Sequence, residues 1–133
     1  MPLYNSATVA TALHVPAKWL DNLLSHNKID GVSGGRQGVR RRLSGDAVRV
    51  VAIVKELTEE AGLPIPAAVR LAALALAGDP SDPYLQKRTL SLSPSVTLEI
   101  DLAALDREIH AGLVHAVEVT PHPLRGRPRR TPR

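Results

Sequence analysis

The chain has 133 residues, of which 44% are hydrophobic but only 2% aromatic, and its 17 Lys/Arg against 13 Asp/Glu give a net charge of +4. This length fits one domain, or a small domain with an appendage, and a core without Phe must be built from Leu, Val, Ile and Ala, which favours helices packed on short strands. The absence of Cys excludes disulfides, thiolate metal sites and Cys nucleophiles and fits a cytoplasmic protein; no apolar run reaches the membrane-spanning length of about 18 residues, and no signal peptide is expected.

Charge is unevenly placed along the chain. Residues 1–78 hold nine Lys/Arg and six Asp/Glu, residues 79–120 three and seven, and residues 121–133 five Arg and no acid. Two basic ends around an acidic segment suggest a polyanionic partner, most simply nucleic acid.

Ser6 is placed to cap a first helix with Val9, Ala10 and Leu13 on one face. His14-Val15-Pro16 breaks it, and Pro16 suits the first position of a second helix. That helix carries Trp19, Leu20, Leu23 and Leu24 as an apolar stripe and ends near Asn27, a residue that tolerates the left-handed conformation of helix ends. Two short helices around a tight turn form a helix-turn-helix candidate.

Ile29-Asp30-Gly31-Val32 reads as a strand, Ser33-Gly34-Gly35-Arg36-Gln37-Gly38 as a turn, and residues 39–43 as the return strand of a hairpin, or wing. Ser44 caps a third helix with Asp46 in its first turn and Val50, Ile53, Val54 and Leu57 on one stripe. Gly62 ends it. Pro64-Ile65-Pro66 opens a fourth helix running to about Ala77, apolar on nearly every side and so expected to meet a partner surface. Alternation at Leu90 and Leu92, then at Val96, Leu98 and Ile100, predicts a second hairpin. Asp101 can cap a last helix with Leu102, Leu105, Ile109 and Leu113 on one stripe. Four Pro and five Arg in residues 121–133 predict a disordered basic tail.

The expected fold class is mainly α with short β-hairpins: a winged helix-turn-helix over residues 1–78, a hairpin-helix over 79–120 and the tail over 121–133. The first seventy-odd residues resemble the DNA-binding domain of the MerR family of bacterial transcription regulators. The resemblance rests on the order of Val9-Ala10, Val15, Leu20, Asn27 where the family usually has Gly, Ile29 and a Gly/Arg wing. It continues with Arg41-Arg42-Leu43-Ser44 beside the family's Arg-Arg-Tyr-Ser, then a Val/Ile/Leu helix and Gly62-Leu63. The family's central Arg-Tyr of the recognition helix is replaced here by Asp21-Asn22.

The resemblance implies DNA contact by the second helix and the wing. A recognition helix presents its early outward residues to the major groove; here these are Ala17, Lys18, Asp21, Asn22 and Ser25. Lys18 suits phosphate or guanine and Asn22 suits adenine, whereas Asp21 would repel phosphate. In the wing, Gly35 lets backbone approach DNA, and Arg36, Arg40, Arg41 and Arg42 are cations for the phosphates. Strict alternation separates Arg40 and Arg42 from Val39, Arg41 and Leu43, so Arg41 is free to pair with an acid such as Asp46. Trp19 reads as core. In the tail, Arg125-Gly126-Arg127-Pro128 is similar to the core of an AT-hook, which lies in narrow A·T-rich minor grooves; a non-specific phosphate-binding tail is the alternative.

No catalytic constellation, metal-ligand spacing or phosphate loop is present in the sequence, so neither an enzyme nor a bound cofactor is expected. The reading is a homodimeric, nucleoid-associated transcription regulator or nucleoid-type protein that binds double-stranded DNA. Residues 84–119 and the fourth helix are the expected self-association surface. The alternative, motivated by Asp21 and by the unassigned hairpin-helix over residues 84–119, is a protein-interaction module such as an antitoxin or phage factor, with secondary or no DNA binding.

Overall fold

The computed structural model describes residues 3–35, 39–77 and 87–119, with side chains to residue 117. It is mixed α/β and mostly helical. In chain order it comprises β1 (Leu3–Asn5), α1 (Ser6–Leu13), α2 (Ala17–His26), β2 (Val32–Ser33), β3 (Arg42–Ser44), α3 (Gly45–Glu59), α4 (Ile65–Leu76), β4 (Lys87–Ser93), β5 (Val96–Asp101) and α5 (Leu102–Val119).

The helix starts follow their capping chemistry, with one change from expectation. Asn5, not Ser6, caps α1: its side-chain oxygen accepts from the Thr8 N–H at 2.8 Å. Asn5 is also the last residue of β1, so its extended backbone already has cap geometry, whereas Ser6 is inside the helix. The chain leaves α1 through His14 in the left-handed region, φ 58°. That role was expected of Asn27, which is instead extended at φ −137°; its side-chain amide donates to the Leu23 carbonyl at 3.1 Å, which satisfies the helix end another way. Pro16 stands one residue before α2, as its N-cap. Ser44 caps α3 as expected, accepting from the Ala47 N–H at 3.2 Å. Asp101 does the same for α5, accepting from Ala104 N–H at 3.0 Å.

The first sheet has order β1-β3-β2, all antiparallel. The β1 strand escaped the sequence reading because three residues carry no periodicity. The first hairpin is also shorter than expected. Strand pairing covers only Val32↔Leu43 and Ser33↔Arg42, and Ile29 is buried in the core without being a strand. The second hairpin forms where expected, with Leu90 facing Leu98 across the pair. A register shift between Ser91 and Ser93 breaks the alternation, which leaves Leu92 41% exposed while Leu90 packs on the core.

The core is one cluster, centred on α3. Besides the expected Ile53, Val54 and Leu57, α3 buries Val48, Val51 and Ala52, a second stripe that makes it apolar on more than one face. Those residues join Val9, Leu20, Leu23 and Leu43 from the N-terminal part, and Leu105 and Ile109 from α5 belong to the same cluster. The hairpin-helix therefore shares the core of the preceding residues.

Two features seat α5. Gly112 lies so close to α1 that a Cβ there would meet the carbonyl oxygen of Ala12. Arg49 on α3 forks onto Asp106, with Nε and Nη2 donating to the two carboxylate oxygens at 2.8 and 2.9 Å, and its Nη1 donates to Asp46 at 3.1 Å. The hydrogen bonds to Asp106 push the Arg49 guanidinium above its usual range. On α4, Ala68, Ala72 and Ala75 are buried and Leu74 is 59% exposed. No helix among the described residues is long and apolar enough to cross a membrane.

Candidate nucleic-acid interface

The α2 helix divides cleanly into two faces. Leu20, Leu23 and Leu24 are buried, while Ala17, Lys18, Asp21, Asn22 and Ser25 are exposed. Lys18, Asp21 or Asn22, and Ser25 recur at the spacing of one helical stripe. Trp19 is half-buried and packs on the core, as expected.

The β2–β3 connection reaches that exposed face through Arg41, which contacts Asp21 and Ser25. Its root is fixed by Leu43, fully buried in the core. Its arms meet again at Gly35, whose N–H donates to the Val39 carbonyl at 3.0 Å. Arg40 and Arg42 are exposed, and Val39, expected on the inner face with Leu43, is 47% exposed. Alternation holds only where the strand is paired, and pairing begins at Arg42.

Arg41 turns the other way. Its Nη1 donates to Asp21 Oδ1 at 3.1 Å and its Nη2 to Ser25 Oγ at 3.0 Å. The partner suggested by the sequence was Asp46, but that carboxylate is taken by Arg49. The side chain of Arg41 is 20% exposed against 63% for Asp21, so the arginine stem is covered and the acid stays largely in water.

Gly35 makes this arrangement possible. It has φ +89°, and a Cβ there would come within 2.9 Å of Arg41 Nε. The feature that permits a left-handed turn thus also leaves room for the guanidinium. Asn5, Ala7, Asp21, Gly35, Arg40 and Arg41 line a cleft of about 380 Å³ beside this contact.

Of the residues singled out from the sequence, Ala17, Lys18, Asn22, Gly35, Arg40, Arg41 and Arg42 come together on α2 and the adjoining hairpin. Arg36, Arg125 and Arg127 lie outside the described residues. Reasoning from the sequence missed the Arg41–Asp21 pair. Both residues stood out, one as a cation in need of an acid and the other as an acid on a basic surface, but they are 20 positions apart and no local spacing joins them.

A second cleft, of about 510 Å³, lies where α1, α3 and α5 meet and is lined by Leu13, Lys55, Ile109 and His115 among others. Among the described residues, no group of three or more His, Asp or Glu side chains could hold a metal ion. No protein-family model matches the chain, and no curated protein matches it.

Proposed function

We propose that this chain binds double-stranded DNA, with α1 and α2 as a helix-turn-helix and the β2–β3 hairpin as its wing, in the manner of the MerR-like regulators that its sequence resembles. The observation that carries this reading is the clamp of Arg41 onto Asp21 and Ser25. It holds the hairpin beside the exposed stripe of α2 and pairs the carboxylate on that stripe. Lys18 and Asn22 on the helix, and Arg40 and Arg42 on the hairpin, remain exposed for phosphates and base edges.

The clamp also answers the main objection to DNA binding. An unpaired Asp21 would repel phosphate and would favour a protein partner instead. Paired with Arg41, it serves to position the wing, which removes one of the two motives for the interaction-module reading; the other, the hairpin-helix over residues 84–119, stands. Two such modules in a homodimer would read paired half-sites. Leu74 on α4, Leu92 and Val96 on the second hairpin, and Val114 and Val117 on α5 are exposed apolar residues available to such a dimer. A transcription regulator or nucleoid-type protein is the role that fits.

The test is a titration of the full chain against random and A·T-rich duplexes by fluorescence anisotropy. Releasing about three counterions per module, one each for Lys18, Arg40 and Arg42, implies a salt slope near −2.7, hence roughly a fortyfold loss of affinity between about 50 and 200 mM salt. No binding to either duplex at the lower salt would overturn the reading.

A further inference from the structure

Away from the α2 face, the end of α3, strand β5 and the start of α5 enclose a groove of about 260 Å³. Its apolar lining is Leu57, Leu98, Ile100 and Leu105, and its charged lining is Glu56, Glu60, Glu99, Asp101 and Glu108, with no Lys or Arg. None of these five acids forms an ion pair among the described residues; Asp101 alone is engaged, as the cap of α5.

The arrangement brings like charges together. Glu56, Glu59 and Glu60 crowd the C-terminal end of α3, whose last turn holds no basic residue. Carboxylates there face the negative end of the helix dipole as well as each other. A chain of net charge +4 thus concentrates acid that forms no ion pair among the described residues around one apolar-floored groove.

We propose that this groove docks the chain's own basic segment, residues 121–133. That segment is complementary in both respects. Its five Arg and no acid match the rim, and Leu124 with Pro121 and Pro123 matches the floor. The reach is sufficient. Helix α5 ends at Val119, and at 1.5 Å per residue the path back along it is about 17 Å to Glu108 and about 27 Å to Asp101. Residues 120–130, extended, span about 36 Å. Docking through arginines makes the contact sensitive to salt and withholds those arginines from any competing polyanion until it displaces them.

The experiment needs no nucleic acid, so its failure is distinct from a failure of DNA binding. The chain has no Cys, so Thr131→Cys gives a single site for a nitroxide label on the full-length protein. Amide signals of Leu98, Glu99, Ala104 and Leu105 should lose most of their intensity at low salt, while those of Ala68 and Ala72 on α4 keep theirs. The signals should return at about 1 M salt, where the screening length is near 3 Å, and in the Glu56→Gln, Glu60→Gln, Glu99→Gln, Glu108→Gln variant. The salt arm stands alone if that variant does not fold. Broadening spread evenly over the surface, or none, overturns the proposal. Broadening seen only between spin-labelled and nitrogen-15-labelled copies also overturns it, because it assigns the groove to the tail of a second copy.

Discussion

Gly112→Ala sets two effects of opposite sign against each other. In an exposed helix interior, replacing Gly by Ala stabilises by about 0.8–1 kcal/mol. Gly112 is instead buried against α1, and the added methyl would overlap the Ala12 carbonyl oxygen. Neither side of that contact is a flexible side-chain end, so the helices must separate. A gap of about 1 Å forfeits a quarter to a half of each dispersion contact across it, and Leu105 and Ile109 on the same helix are part of the core. Overpacking of this kind costs about 1–3 kcal/mol, and against the propensity gain it leaves a net expected loss of about 0–2 kcal/mol. At roughly 3–5 °C per kcal/mol for a chain of this size, Tm should fall by up to about 10 °C. Urea unfolding should be followed by circular dichroism and by Trp19 fluorescence, the chain's only tryptophan and one that sits on α2, far in sequence from the change. Both transitions should move together, as one core requires. A stabilised variant, or a Trp19 transition that stays in place, would refute the packing of α5 into that core.

Three further outcomes follow from the same contacts. Arg40→Gln and Arg42→Gln should each flatten the slope of log K against log salt by about 0.9, whereas Arg41→Gln should weaken binding with little change in slope, since its charge is already paired with Asp21; equal slopes for all three would dismiss the clamp. Ser44→Ala removes the cap of α3 and should cost about 1 kcal/mol in chemical denaturation, an unchanged midpoint being the contrary result. Leu43→Ala empties a fully buried position at the root of the hairpin and should cost about 2–5 kcal/mol; a loss well under 1 kcal/mol would mean that the hairpin is not anchored there.

What the sequence reveals is set by the range of the interaction. Helices α1 to α5 declare themselves through apolar spacing and through caps such as Ser44 and Asp101, which act within three residues. The β4–β5 hairpin declares itself by alternation from Leu90 to Ile100 around Ser93-Pro94-Ser95. The Leu3–Asn5 strand is too short to carry a period, and its identity depends on β3, some forty residues on. Reliance on one stripe per helix also hid the second face of α3, at Val48, Val51 and Ala52, and with it the docking site of α5. On the candidate interface, the exposure of Lys18, Asn22 and Arg42 was legible, because each stands opposite an apolar neighbour, whereas Arg40 lies beside an exposed Val39 where alternation does not hold. The choice between Asp21 and Asp46 as the partner of Arg41 was not, because it depends on how α2 and the hairpin approach one another in space.

That choice alters what Asp21 means. As a bare letter in the exposed stripe of α2, it subtracts from a basic surface and argues against DNA. An exposed ion pair of this kind contributes only about 0–1 kcal/mol to stability, so the fold has little need of it. The contact does more for geometry than for energy. It fixes the hairpin at two points, the buried Leu43 at its root and the Asp21–Ser25 side of α2 part-way along, and Gly35 leaves the space that the guanidinium fills. A hairpin held at two points is biased toward one orientation about its root, by no more than the modest strength of that contact. The contact thus favours one placement of the exposed Arg40 and Arg42 relative to Lys18 and Asn22, which the proposed binding to a duplex would use.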